Sequence, residues 1–318
     1  MILLSANFST SIKAQYAPPA GQPGSTAIHA DSNIFIDWAF ECIVERGLAN
    51  ISDPSLGQVS FGFEEQGTAK ADNGVVSLGD GGIATLNFSV PLSDGDGWDF
   101  AVFENSFSDD FLELAFVEIS SNGVDYYRFN AISETQQEVQ IETYGVMDTR
   151  KVHNLAGKFS VLYGTPFDLF EMKDETGLDV TNIISIRVID VVGCIDPEYA
   201  TYDSDGIIIN DPWPTAFEPG GFDLDAVGVI HNQNNTSVNE IVKNANCIIF
   251  PNPVTDFFKI KSTEKISNVV ITDISGKSML EFVNPVNNYF DAQLLPVGIY
   301  IVDLVSESGL YTVKLIKR

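Results

Sequence analysis

Phe116-Val117-Glu118-Ile119-Ser120-Ser121-Asn122-Gly123-Val124-Asp125-Tyr126-Tyr127 reads as two strands joined by an Asn-Gly turn, the strongest short-range hairpin signal a sequence carries. Short β-branched and aromatic runs bounded by Gly, Asn, Asp and Pro recur around it, at 74–78, 83–88, 99–104, 112–120, 126–129, 183–192 and 222–230. Long helical periodicity is nearly absent. Two short helices are expected. One covers 33–46, where Ile34, Phe35, Trp38, Ala39 and Cys42 recur at helical spacing, and one lies around 166–172. The fold class is therefore all-β, with strand lengths and turn spacing that suit a sandwich.

The chain has 318 residues, of which 44% are hydrophobic and 19% charged. That length allows about two domains, and the balance is that of a packed protein. The net charge of −27 is unevenly placed: 37 acidic stand against 10 basic residues before residue 246, and 7 against 7 from there on. Two units with different surfaces follow from this, and a nucleic-acid partner is excluded, because that requires a basic face. The polar run Asn232-Gln233-Asn234-Asn235-Thr236-Ser237-Val238-Asn239-Glu240 has no apolar periodicity and reads as a linker. The expected organisation is a β-sandwich over 16–232, a linker over 233–245 and a small Ig-like sandwich over 246–318.

Residues 1–15 look like the remnant of a secretory signal peptide ending before Gln15, without a basic start or a full apolar run. No stretch approaches the roughly 20 apolar residues that cross a bilayer as a helix. Cys42, Cys194 and Cys247 are too few and too scattered for a disulfide framework or a zinc site. A Cys42–Cys194 bridge and a pair of buried thiols both stay open on the sequence.

The tail carries four pieces in order: Pro251-Asn252-Pro253, Asp273-Ile274-Ser275-Gly276-Lys277, Leu295-Pro296-Val297-Gly298-Ile299-Tyr300 and Lys314-Leu315-Ile316-Lys317-Arg318. Together they resemble the C-terminal sorting domain of Bacteroidetes type IX secretion cargo. The resemblance implies export through the periplasm, the type IX translocon and sortase as partners, and a secreted or cell-surface location on the outer-membrane exterior. In it, Pro251, Asn252, Pro253, Gly276, Gly298, Tyr300, Lys314 and Lys317 carry the sorting motif.

Four stretches of the first unit, 20–28, 76–82, 98–105 and 220–227, resemble a family of Bacteroidetes surface proteins to which the likeness attaches no activity. The hairpin at 116–127 also resembles that of galactose-binding-like jelly rolls, so a jelly-roll-like sandwich is expected. Many such domains bind sugars or only other proteins, which is a likeness of fold and not of site.

Three acidic clusters stand out. Asp94-Gly95-Asp96-Gly97-Trp98-Asp99 with Glu104 and Asn105 puts oxygen donors on a Gly-rich loop and the strand after it. Asp203-Ser204-Asp205-Gly206 is similar to part of a calcium loop, but its spacing to a closing Glu is wrong for an EF-hand. Asp223 and Asp225, two apart in a strand, are expected on one face of the sheet. The expectation is a structural calcium ion held by some of Asp99, Glu104, Asp190, Asp223 and Asp225. The alternative is that these carboxylates cap turns and accept backbone N–H bonds.

Trp98, Tyr202 and Trp213 are candidates for a stacking platform, with Pro212 and Pro214 stiffening the loop of the last. His29, His153 and His231 lie in no recognisable motif, and the chain has no G-x-S-x-G, H-E-x-x-H, phosphate loop or C-x-x-C. A non-catalytic binding module is expected, with a glycan or a small nutrient passed to an outer-membrane transporter as ligand. A glycoside-acting hydrolase and an adhesive surface protein are the alternatives.

Overall fold

The computed structural model describes residues 16–235, 248–262, 264–285, 287–306 and 309–318. The leader segment 1–15, most of the linker and Cys247 lie outside the described residues. The first unit contains strands β1 (Ile28–His29), β2 (Asp37–Trp38), β3 (Glu41–Glu45), β4 (Val76–Ser77), β5 (Ile83–Leu92), β6 (Phe100–Glu104), β7 (Ala115–Ser120), β8 (Tyr127–Arg128), β9 (Ile132–Ser133), β10 (Val152–His153), β11 (Tyr163–Phe167), β12 (Ile183–Asp190) and β13 (Asp223–Val229). They form two large antiparallel sheets and a two-stranded ribbon, β9-β10. One runs β1-β11-β6-β13-β2 with β4 on β13, and the other runs β3-β5-β12-β7-β8. The expected all-β sandwich is what forms.

Side chains alternating along each strand build the core between the sheets. Phe100 and Val102 of β6 meet Ala115, Val117 and Ile119 of β7, Ile186 and Val188 of β12, and Ala84 and Leu86 of β5. The other face of β6 is also covered. Ala101 and Phe103 pack with Ala226, Ala30 and Ala71 under Phe35 and Trp38. With both faces covered, every residue of β6 and β13 is buried.

That second layer explains why no helix forms over 33–46. Phe35 packs edge-on and Trp38 tilted against Phe103, at 5.6 and 5.4 Å, and the chain then runs on as edge strands β2 and β3. Tertiary packing outweighs the helical spacing of Phe35, Trp38 and Cys42. The second expected helix is reduced to a single 3₁₀ turn at Leu169–Met172, entered through the Asp168 side chain accepting from the Phe170 amide. The hairpin at 116–127 forms as read, pairing Glu118 with Arg128 and Ile119 with Tyr127. Asn122 Oδ1 organises its loop by accepting from the amides of Val124 and Asp125. Cys42 and Cys194 are both buried and unbridged.

The tail contains β14 (Ile248–Phe250), β15 (Phe257–Lys261), β16 (Ile266–Asp273), β17 (Ser278–Val283), β18 (Tyr289–Asp291), β19 (Gly298–Ser306) and β20 (Gly309–Lys317). Sheets β14-β15-β18 and β17-β16-β19-β20 enclose Val254, Phe258, Ile260, Val269, Ile271, Phe290, Val302, Leu304 and Leu315. The motif residues are structural joints of this small sandwich. Asn252 clamps the last strand, donating to the Lys314 carbonyl at 2.7 Å and accepting from the Ile316 amide at 2.9 Å. Gly276, at φ +84, closes a turn in which Asp273 Oδ1 accepts from the Ser275 and Lys277 amides. The Tyr300 hydroxyl donates to the Pro296 carbonyl at 2.7 Å, which fixes the loop ending at Gly298.

Candidate functional site

The five carboxylates read as one calcium set are split between the two ends of β6. Asp99 precedes the strand and Glu104 ends it, so about five residues of extended chain, some 16 Å, separate them.

At the first end, Asp94, Asp99 and Asp168 bring carboxylate oxygens within 4.8 Å of one another. Asp99 is fully buried and well supplied with donors. Its Oδ1 takes the Gly95 amide at 2.9 Å and pairs with His231 Nδ1 at 2.8 Å, and its Oδ2 takes the Leu169 amide at 2.7 Å. The close approach of the imidazole requires glycine at 95, where a Cβ would lie 2.5 Å from His231 Nδ1. Burial pushes the Asp99 carboxyl up to about 6 against the pull of the Leu169 amide and His231. Asp94 differs: its Oδ1 is buried without a hydrogen-bond partner, and burial, then repulsion from Asp168, raises its proton affinity. Three oxygen donors with one unanswered oxygen fit a hard cation such as calcium. Asp168 and His231 had no local signal, because they come from 69 and 132 residues away in sequence and reach Asp99 only when β11 and β13 pair on either side of β6.

The other end is different in construction. Each inward-facing row finishes in an acid: Phe100-x-Val102-x-Glu104 on β6, Ile186-x-Val188-x-Asp190 on β12, and Glu113-x-Ala115-x-Val117 leading into β7. Asp80 follows Val76 and Leu78 in the same phase. This two-residue alternation running from apolar residues into a carboxylate was a readable signal for Asp80 and Glu113, and it was missed. Most of these groups act as staples between loops. Asp190 takes the amides of Phe222 at 2.7 Å and Gly81 at 2.9 Å. Asp80 takes the Ile51 amide at 2.7 Å and the Trp213 indole N–H at 3.1 Å. Asp211 takes the Leu114 amide at 3.1 Å.

Asp223 and Asp225 have separate partners across the irregularity between Leu224 and Ala226. Asp223 accepts from the Ser77 hydroxyl, and burial raises it to about 7. Asp225 accepts from the Asp72 and Asn73 amides, and burial raises it to about 6. In the second cluster, Asp203 is also a staple, taking the amides of Asp205, Ile207 and Ser133.

Among the described residues, no ring of Trp98, Tyr202 or Trp213 packs against another of the three. Trp213 is half-buried on Asp80, Trp98 sits beside Asp99, and Tyr202 is exposed on the 194–211 loop. An aromatic row does occur, on other residues. Phe107 stacks on Phe111 at 4.5 Å, Phe111 lies tilted against Tyr144 at 6.3 Å, and Tyr144 stacks on Phe217 at 6.2 Å. Phe107 and Tyr144 are 71% and 72% exposed. The row spans three loops that are knitted by Met147 donating to the Asp110 carbonyl at 2.6 Å and Thr143 Oγ1 donating to the Pro214 carbonyl at 2.7 Å. Contiguity of rings across loops leaves no pattern in a single sequence.

Residues 248–318 match the family described as secretion system C-terminal sorting domain. No curated protein sequence matches the chain. A solved structure described as a biofilm associated protein, BSP domain, aligns at 11% identity over 78% of this chain and 50% of that one, with a TM-score of 0.18. The glycoside hydrolase domain of Endo-D from Streptococcus pneumoniae R6 aligns at 8% identity over 87% and 36%, with a TM-score of 0.24. The chain spans no more than half the length of either, and at these scores neither likeness carries an argument. No helix among the described residues is long and apolar enough to cross a membrane. The ordered tail motifs, each with its joint in the small sandwich, and the family match over those same residues make this protein cargo of the type IX secretion machinery, secreted or displayed at the cell surface.

Proposed function

We propose that residues 16–232 form a non-catalytic, glycan-binding module that the tail delivers outside the cell. The observation that carries this reading is the row Phe107, Phe111, Tyr144 and Phe217, two of whose rings present most of their surface to solvent. Flat apolar faces on a rigid loop scaffold suit the C–H faces of successive sugar rings. Calcium at Asp94, Asp99 and Asp168 is a structural ion in this reading, joining the 93–99 loop to the turn after β11. The spacing of these three favours a cation over hydrolysis, since glycosidase carboxyl pairs stand about 5–9 Å apart across an open cleft.

The test is a glycan screen on the full chain, followed by titration of any ligand found against Phe107→Ala and Tyr144→Ala. Loss of at least tenfold in affinity, with an unchanged melting temperature, is expected. A wild-type chain that binds no glycan, or variants that bind as well as wild type, would overturn the proposal.

A further inference from the structure

At the end of the inter-sheet core away from Asp99, two carboxylate oxygens have nothing to bond. Glu104 is 1% exposed and Glu113 8%. Oε2 of Glu104 accepts from the Ser106 amide at 2.7 Å, but Oε1 of Glu104 and Oε1 of Glu113 are both buried without a partner. A buried carboxylate normally finds a cation or two or three donors. Both follow in phase from inward-facing residues, Phe100 and Val102 on β6 and Ala115 and Val117 on β7, and the surroundings of each raise its proton affinity: burial acts first, then Asp223 on Glu104, and Glu104 on Glu113.

The surrounding groups cannot answer them. Asp190, Asp211, Asp80 and Asp223 are acceptors already engaged by amides, an indole and a hydroxyl. Arg46, the cation felt by Asp223, gives its N–H groups to the carbonyls of Phe61, Ser77 and Gly62. We propose that a calcium ion binds between Glu104 Oε1 and Glu113 Oε1, with carbonyl and water oxygens completing its shell. Donors that are all oxygen select a hard cation. With two carboxylates the affinity falls in the range of extracellular modules, about 10⁻⁴–10⁻³ M, which suits an exported protein.

The ion has a structural consequence. Glu104 and Glu113 bracket the loop that carries Phe107 and Phe111, so binding ties both ends of that loop to one point. This site is distinct from Asp94, Asp99 and Asp168, which lie at the other end of β6, and it does not depend on the ligand of the aromatic row.

The experiment uses the full chain, stripped with chelator and titrated with calcium chloride in about 0.15 M salt, where surface binding by exposed acids is screened. Stoichiometry is read by calorimetry and by native mass spectrometry, in wild type, in Asp94→Asn/Asp168→Asn, and in that double variant carrying Glu113→Gln. Glu104→Gln serves as the second variant should Glu113→Gln fail to fold, since its amide oxygen can keep the Ser106 bond. One saturable calcium ion that survives Asp94→Asn/Asp168→Asn and weakens at least tenfold on Glu113→Gln supports the proposal, whether or not the first site binds. No calcium on the double variant overturns it and points to a proton shared by the two carboxyls. An ion unaffected by Glu113→Gln and by Glu104→Gln overturns it as well.

Discussion

Strand β6 begins and ends in a buried acid, and the two ends solve the burial of charge in opposite ways. Asp99 is answered within the protein, by two amides and the His231 imidazole, and its pocket is half open, with His231 26% exposed. Glu104 is sealed and accepts from the Ser106 amide on Oε2 only, and Oε1 of Glu104 and Oε1 of Glu113 both lack a partner. A carboxylate with donors on both oxygens behaves as a staple, whereas one left bare behaves as an empty ligand. Removing a charge should therefore have opposite signs at the two ends.

The largest effect tests the staple side. Asp190→Ala leaves the Phe222 and Gly81 amides without acceptors in the core, and a loss of about 3 kcal/mol of unfolding free energy is expected in denaturant melts. Next comes the sign reversal itself. In chelator, Asp99→Asn should destabilise by about 1–2 kcal/mol, because an amide cannot accept from all the donors that Asp99 satisfies. Glu113→Gln should stabilise by a similar amount by removing an uncompensated buried charge. If both variants move in the same direction, the contrast between the ends is broken.

A pH series sharpens the same contrast. Asp99 and Asp225 sit at about 6 and Asp223 at about 7, against an unfolded value of 3.8. The folded chain thus holds protons that the unfolded chain has released. Without metal, the stability from these groups is complete below pH 3.8 and is lost as pH rises through about 6 and then 7. Melting temperature should fall across that window in chelator. Calcium should flatten the part of the fall that comes from Asp99, because an ion held by Asp94, Asp99 and Asp168 needs that group deprotonated. The smallest expected effect is that of Phe107→Ala, within about 0.5 kcal/mol in stability, since the ring is largely exposed. A larger loss would make the aromatic row a part of the core and not a ligand face.

The sandwich was legible because its strands announce themselves locally. The hairpin at 116–127 and the alternation of β5, β6, β7, β12 and β13 need only neighbouring residues, and their expected bounds lie close to the observed ones. The segment 33–46 was misread because helical spacing there serves a different purpose: Phe35 and Trp38 cover the outer face of β6. In the tail, the four motifs held because each is a local joint, as with Asn252 on the last strand.

What the sequence by itself determined is the set of strands, the division into an acidic unit and a balanced tail, and the export address. Those follow from period-two alternation, composition and turn chemistry, all of which act over a few residues. Only the tertiary structure decided which carboxylates meet. It joined Asp168 and His231 to Asp99 and gathered Phe107, Phe111, Tyr144 and Phe217 from three loops. The physical reason is that a site depends on distances between side chains far apart in the chain, and those are set by which strands pair and how loops and sheets then pack, which no local pattern encodes.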